Sequence, residues 1–575
     1  MVAVALTVEV DWNNDQDFAD TGEDVSNRVR SQPGVRTVRG LDTTRGVKPP
    51  RSGTFDAELG NQSKDYSTEY GTSPLVGLLE PGRMVRCRMT VDGATVHVFR
   101  GPLDDLPQHP EPLRLSVGIP ALGMMSRIAG KTGYSTPLYG DGTEAGGVRS
   151  DIALHRLLDA LGETTTDAAG TLGAAIADTT TTSVTMTAGH TVEVGGLLLI
   201  DSERLYVSAV VGNALTVVRG FLGSTTETHL NGATVAAYRR IFDVGQTTFL
   251  YWWLDKSEEG HAAALAILNS EGPGAALFED GQGRIVFKNR FHRVVDSVST
   301  VVQATYRDTG TEPRYSLPFK YDRGLKRVVN ACTVTHVKRA LYDLDRIWDP
   351  GADDVVLSVN EVRTYTVVDA GGDPFTAAVV PVLNRDYKVV SGGSVASMTL
   401  DRTSGTSCVL TITAGAAGAT IRNLELRAQA VRVTATTKLV NTTTATASIA
   451  AYGPQPYTLQ TRGEVGINAL QSLCDAVVAL WQNPRPAATV TIENVNATRV
   501  SEFVRDVGHR INVVNAQTGL ATDMHVDQIG FEFGMFKGGN AGRVRMTLDA
   551  EKVTDSTRYF IIGTDTLGGT AVLGY

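Results

Sequence analysis

The 575-residue chain has few cysteines, few aromatic residues and no excess of positive charge. Its four cysteines, Cys87, Cys332, Cys408 and Cys474, are widely separated and form no Cys-x-x-Cys pair. That spacing argues against a disulfide framework and a structural zinc site, and the four read as reduced, buried thiols of a chain folding in a reducing cytoplasm. Lys and Arg number 53 against 62 Asp and Glu, a formal net charge of -9. A nucleic-acid clamp needs clustered cations to neutralise phosphates, and this balance argues against one. Mild acidity suits a channel that DNA crosses without adhering, and suits ordinary solubility equally well. No run of about 18 apolar residues occurs, so no membrane-spanning helix is expected. The opening MVAVALTVEVDWNND has no basic segment, and Glu9 and Asp11 interrupt its apolar run, so it reads as a strand rather than a secretion signal.

Catalytic signatures are also lacking. The ten histidines form no His-Glu-x-x-His or His-x-His motif, and no Gly-x-Ser-x-Gly occurs. His97, His109, His155 and His190 have no suitably spaced carboxylate or cysteine and read as surface or satisfied core residues; Ser31, Ser52 and Ser257 are unsupported as nucleophiles. Glu258 and Glu259 precede a helical pattern, where acids favour the positive end of the helix dipole; paired acids for sugar chemistry are the lesser reading. The stretch GGNAG at 538–542 lacks the Lys-Ser/Thr of a phosphate loop. Tyr251-Trp252-Trp253 reads as part of a buried strand, with a sugar-stacking surface as the alternative.

What is present is strand periodicity and turn chemistry. A hydrophobic fraction of 42% and a charged fraction of 20% suit folded domains. At roughly 100–200 residues per domain, about three to five are expected. Val2–Val10, Gly53–Leu59, Met84–Val91, Thr95–Phe99 and Leu113–Val117 alternate or carry strand-type runs, punctuated by turns such as Asp92-Gly93. The block Tyr66–Met89 runs from a Gly-Thr-Ser-Pro turn through an apolar run and a Pro81-Gly82 turn into a strand. A helix is expected over Asp151–Leu161, capped by Asp151 and ended by Gly162. The Thr-, Ala- and Gly-rich stretch from Thr164 leads into a small β module at 164–240, with strands Leu197–Ile200, Leu205–Val211 and Leu215–Arg219. An α+β unit follows at 241–322, with a helix near Gly260–Ser270 and a hairpin turning at Asp280–Gly283. Val328–Val337 alternates, and 350–450 reads as many short strands in an inserted β-sandwich-like domain. A helix over Glu464–Gln482 has one apolar face and stops at Asn483-Pro484. Strands resume at Thr489–Glu493, Ile511–Asn515, His525–Phe533 and Arg543–Leu548, before the extended Gly- and Thr-rich tail GTDTLGGTAVLGY. The fold class is therefore mainly β with some α+β, multidomain, with a few helices.

One pattern carries metal chemistry. In DWNNDQDFADTGED, Asp11, Asn13, Asp15 and Asp17 recur at every second position, as in the first half of a calcium loop, where alternate side chains converge. Gln16 stands where such a loop uses Gly, and its twelfth position is Gly22, with Asp20, Glu23 and Asp24 nearby. The competing reading is a solvated acidic turn whose side chains bond to local backbone. Calcium is the sole cofactor that the sequence suggests.

Several segments resemble minor tail proteins of siphoviruses infecting actinobacteria, of the tail-tip or baseplate hub class. They are EVDWNNDQDFADTGEDVSNRV (from Glu9), Gly40–Pro50, GTFDAELGNQSKDYSTEYGTSPLVGLLEPGRMVRCR (from Gly53), VFRGPLDDL at 98–106, IDSERLYVSAVVGNALTVVRGFLGSTTETHLNGATV (from Ile200) and the C-terminal TLGGTAVLGY. The resemblance implies two tail-tube-like β-barrels per chain. On that basis 1–163 is a first hub barrel with its trailing helix, 164–240 an inserted module, and 241–322 an α+β domain. The second barrel comprises 323–349 and 451–575, interrupted by the inserted 350–450 domain. The implied role is a structural virion protein made in the host cytoplasm: a homotrimeric hub at the phage tail tip. Its implied partners are tail tube, distal tail, tape measure and other tip proteins, with phage DNA passing through the lumen and the host surface nearby. Shape-setting residues such as Pro74, Gly77, Pro81, Gly82 and Arg83 carry that reading. Some hubs of this class carry hydrolase domains; no such motif occurs in this sequence, so enzymatic activity is not carried over. A receptor- or carbohydrate-binding tail protein, and after it a cell-wall hydrolase, are the alternatives.

Overall fold

Alternating apolar side chains make Val4–Asp11 (β1) and Met84–Val91 (β4) half-buried strands, and they pair antiparallel along their full lengths, from Val4↔Val91 to Asp11↔Met84. In this computed structural model the described residues are 4–42, 47–111, 114–310, 313–351, 354–390, 392–402, 404–442, 444–462, 464–494, 503–535, 540–553, 559–560 and 572–573. The fold is mainly β, with several sheets and few helices. The expected tail from Gly563 lies outside the described residues, apart from Val572–Leu573; so do part of the Gly40–Pro50 block and Gly538 and Gly539 of GGNAG.

The largest sheet has twelve strands. Besides β1 and β4 it contains β2 (Val35–Leu41), β3 (Pro50–Asp56), β5 (Ala94–Pro102), β6 (Ala121–Leu122), β7 (Ala304–Arg307), β8 (Tyr315–Asp322), β9 (Ala487–Glu493), β10 (Arg510–Asn515), β11 (Leu520–Met535) and β12 (Asn540–Lys552). The main path runs β5-β4-β1-β12-β11-β2-β3-β6, with β9 and β8 branching from β12, and β10 and β7 from β11. The long antiparallel pair β11–β12 is shared. One outer edge of it meets β2 over Val35–Gly40 and β10 over Arg510–Asn515; the other meets β1 at Val4–Ala5 and β9 over Ala487–Glu493. Strands from the two ends of the chain thus flank one hairpin. A single bridge, Leu103↔Ala121, joins the outer ends of the main path, and no closed barrel forms among the described residues. The two barrels implied by the resemblance are therefore represented by one continuous sheet.

The core follows the same plan. Val8, Val10, Phe55 and Val85 share a single buried cluster with Val490, Ile511, Phe531, Met546 and Leu548. A second cluster gathers three helices: α1 (Ser150–Ala160) through Leu154, Leu157 and Leu158, α2 (Gly260–Glu271) through Ile267 and Leu268, and α3 (Ile467–Trp481) through Leu470, Leu473, Val477 and Trp481. Asp151, expected as a cap, lies one residue inside α1 and is ion-paired with Arg149. The helix expected from Glu464 starts at Ile467, because Glu464–Val465 is taken into a strand against Thr248–Tyr251.

An eight-stranded sheet contains the strands Gly196–Ile200, Glu203–Val211, Ala214–Val218 and Thr234–Phe242. Its Thr234–Phe242 strand runs parallel to Ile285–Lys288, itself paired with Ala276–Glu279 across the Asp280–Gly283 turn. Between 355 and 430, short three-stranded sheets enclose a separate core that includes Val367, Leu410, Ile412 and Leu426. The strand Leu426–Val440 extends beyond it to pair with Ala331–Leu341.

Candidate functional site

The acidic loop begins where β1 ends. After Asp11 the chain makes an excursion and returns beside its starting strand. The Glu23 carbonyl accepts from Val10 N–H at 2.9 Å, Asp24 bridges Glu9, and Val25 N–H donates to Val8 O at 2.9 Å. This return places Glu23, distant from Asp11 in the linear pattern, next to it in space. Carboxylate oxygens of Asp11, Asp15 and Glu23 lie within 4.8 Å of one another; so do those of Asp15, Asp17 and Asp20.

The two groups differ in burial. Asp11 is 0% exposed and Glu23 is 2% exposed, whereas Asp15, Asp17 and Asp20 are exposed. Asp11 accepts from the N–H groups of Asp15 at 3.2 Å and Gln16 at 3.0 Å. One oxygen of Glu23 accepts from Asp20 N–H at 3.1 Å; the other is buried without a hydrogen-bond partner. Asn13 donates its amide to Asp15 at 2.9 Å and to Asp20 at 2.6 Å, so it braces the carboxylates. Asn14 and Gln16 adopt positive φ, 62° and 74°, which curls the segment without the glycine expected there. Among the described residues, no Lys, Arg or His ion-pairs with Asp11, Asp15 or Glu23. Burial, together with the charges of Asp11, Asp20 and Asp15, pushes the Glu23 carboxyl above its ordinary value, against the Asp20 N–H bond that lowers it. Two like charges at this spacing repel by roughly 3 kcal/mol at an effective dielectric constant near 20. The loop's aromatic residues anchor it: Trp12 packs on Tyr66 at 5.9 Å between ring centroids, and Phe18 lies under the Arg86 guanidinium at 4.0 Å. The Tyr66–Met89 block therefore supports the loop from one side.

A second buried acidic cluster sits at the centre of the shared hairpin. The ladder between β11 and β12 slips between Val526 and Gln528, leaving Asp527 as the bulge residue. On the β11 edge the partner changes there from β10 to β2. Gly40 of β2 lies against this point with φ +130°, and a Cβ on it would stand 2.4 Å from the Asp527 carbonyl oxygen, so the position admits no side chain. Lys48 pairs with both Asp527 and Glu551, Arg293 meets Asp527 at 3.0 Å, and Arg485 meets Glu551 at 3.2 Å. Burial raises both carboxyls, but these cations outweigh it and hold them below their ordinary values. An adjoining cleft of about 260 Å³ is lined by Lys48, Lys320, Lys326, Asp549 and Glu551, among others.

The remaining candidates separate in space. His155 is buried between Phe221 and Phe242, and burial followed by the nearby Arg240 charge holds it well below its ordinary value. His190 contacts the Gly212 carbonyl at 3.0 Å. His97 is partly buried; burial, then Arg88 and Arg86, lowers it. Glu259 caps α2 by accepting from His261 and Ala262 N–H groups, and Glu258 pairs with Arg462. Tyr251 and Trp252 are buried, and the Arg339 guanidinium lies 5.1 Å from the Trp253 ring. Two groupings escaped the sequence reading because neither follows a motif spacing: one joins residues 16 and 26 apart across a small sheet, the other a strand and a helix 142 residues apart. Buried Glu203 accepts from Arg219 at 2.6 Å and contacts His229 Nε2 at 2.9 Å. Cys332 and Cys474 Sγ stand 3.4 Å apart between the strand Ala331–Leu341 and α3. No histidine–carboxylate–hydroxyl triad assembles among these residues.

No protein-family model and no curated protein sequence matches the chain. Solved structures resemble it over nearly its whole length. A tail protein from Neisseria meningitidis is 10% identical, with 96% of each chain covered and a TM-score of 0.39. A prophage tail protein from Shewanella oneidensis is 8% identical over 95% of this chain and 98% of that one, with a TM-score of 0.41. A prophage tail protein from Listeria monocytogenes is 7% identical over 95% and 94%, with a TM-score of 0.35.

Proposed function

We propose that the chain is a structural protein of a phage tail, serving as the hub that joins the tail tube to the tip complex and surrounds the DNA passage. One observation carries this reading. The hairpin β11–β12 carries two strands on each edge at both ends: β4 and β1 against β2 and β3 at one end, β8 and β9 against β10 and β7 at the other, the ends differing in that β3 runs antiparallel to β2 and β7 parallel to β10. Each chain thus presents two β lobes of like strand order about a common pair. Three such chains supply six lobes, the number needed to adapt a sixfold tube to a threefold tip. The outer strands β8 and β7 of the second lobe then find partners in neighbouring copies, which removes exposed sheet edges. Tube and distal tail proteins would dock on the faces of that ring, and a mildly acidic lumen would pass DNA without holding it.

The test is the mass and shape of the purified full chain. Native mass measurement is expected to give a trimer, and electron microscopy a ring with six lobes. A monomer in solution that also forms no ring within assembled tails would sink the proposal.

A further inference from the structure

We propose that Asp11, Asp15 and Glu23 form a calcium site at the end of β1. The site is built from residues of the loop itself and is independent of the tail reading. Three carboxylates converge within 4.8 Å, and two of them are buried. A buried carboxylate is normally paired with a cation or fully hydrogen-bonded. Neither holds for Glu23: its Oε1 is buried and unpartnered, and no side-chain cation pairs with the group among the described residues. The nearby arginines are committed elsewhere, Arg86 and Arg88 to Glu9 at 2.8 and 2.6 Å. Among the described residues, no side-chain cation contacts the carboxylate oxygens of Glu23 or Asp11.

The donor set selects the ion. All three side chains offer hard oxygen, without nitrogen or sulfur, which disfavours zinc and copper. The donors come from a strand end, an irregular loop and its return. Calcium accepts six to eight oxygens in irregular geometry, whereas magnesium demands a near-ideal octahedron and keeps its waters. Water and the exposed carboxylates of Asp17 and Asp20 are available to complete the shell. Bound calcium would tie the return at Glu23 to the end of β1, fixing the loop against Trp12, Tyr66 and the Tyr66–Met89 block.

Terbium, which replaces calcium and emits when a neighbouring indole is excited, gives a direct readout because Trp12 adjoins Asp11 in sequence. Titrating the chelator-treated full chain should produce saturable emission with one terbium per chain, displaced by calcium. Asp15→Asn, at an exposed position that leaves the core intact, should weaken terbium affinity at least tenfold, and Glu23→Gln should do the same. Calcium should raise the thermal transition of the parent chain but not that of Asp15→Asn. Absence of calcium-displaceable emission would overturn the site. So would equal affinity in the parent and Asp15→Asn, which would assign the emission to other surface acids even if Glu23→Gln failed to fold.

Discussion

Two clusters of carboxylates buried among the described residues are neutralised in opposite ways. At the hairpin bulge, Asp527 and Glu551 are surrounded by Lys48, Arg293 and Arg485, and their charges are compensated within the fold. At the end of β1, Asp11 and Glu23 are as deeply buried, but their partners among the described residues are backbone N–H groups. The first cluster is a permanent joint, holding β11 where its partner changes from one lobe to the other. On the calcium proposal, the second is compensated by an ion from solution. On that proposal the contrast separates acids that build a fold from acids that receive a ligand, and it can be broken at either end.

The largest effect is expected at the joint. Lys48→Met removes the cation common to both acids and leaves two buried carboxylates partly unpaired. Breaking a buried pair in this way typically costs about 3–5 kcal/mol. Urea unfolding of the purified chain should show a loss of that order in the transition that includes the large sheet. A loss below about 1 kcal/mol would mean that Arg293 and Arg485 alone neutralise the joint.

Glu279 sharpens the comparison, because it is a buried acid with a third kind of solution. It accepts from Gly53 N–H at 3.0 Å and from Met125 N–H, and it makes no ion pair among the described residues. Burial pushes it up to about 7 from 4.5, despite those bonds and the Arg39 charge. The folded chain therefore binds a proton more tightly than the unfolded chain between these values. Stability from this group is complete below pH 4.5 and is lost as pH rises through about 7, a change of roughly 3 kcal/mol. His525 acts in the opposite sense: burial, followed by the Arg293 charge, lowers it to about 3, so its contribution is lost as pH falls below 6.5. Comparing the parent with Glu279→Gln isolates the first effect. The difference in unfolding free energy between pH 5 and 8 should shrink in the variant, and an unchanged profile would show that Glu279 stays ionised throughout.

The sequence made the local elements legible and left their partnerships hidden. Alternation identified β1 and β4, and the apolar stripe of α3 located Leu470, Leu473, Val477 and Trp481. Short-range chemistry also marked Asp280–Gly283 as a turn, since Asp280 accepts from the N–H groups of Gln282 and Arg284. The start of α3 was misplaced because a strand contact at Glu464–Val465 overrides helical periodicity. The shared hairpin was invisible as such: pairing Arg36 with Glu532 joins residues at opposite ends of the chain, and no local pattern encodes it. In the acidic loop, alternation pointed to Asp11, Asn13, Asp15 and Asp17. It left Glu23 as one of three nearby acids, with Asp20 and Asp24, because its approach to Asp11 depends on the backbone bond from Val10 to Glu23. It also gave Asn13 a ligand's role; there its amide nitrogen donates to Asp15 and Asp20, and its Oδ1 accepts from Asp15 N–H.

The smallest effect expected has the opposite sign to that at Lys48. In a chelator, Glu23→Gln removes one of two buried negative charges that face no side-chain cation among the described residues. The repulsion relieved is reduced by water on the exposed Asp15 side, which leaves a gain of about 1 kcal/mol rather than the full Coulomb term. The glutamine amide also brings N–H donors within reach of Asp11 or Asp15, whereas Glu23 offers only acceptors. Urea unfolding in chelator should therefore find the variant slightly more stable than the parent, with the order reversed when calcium is added. If Glu23→Gln were less stable than the parent in both conditions, the N–H groups of Asp15, Gln16 and Asp20 would already compensate the acids. The two carboxylate clusters would then differ in the source of their compensation, backbone in one and side chains in the other, and not in whether they are compensated.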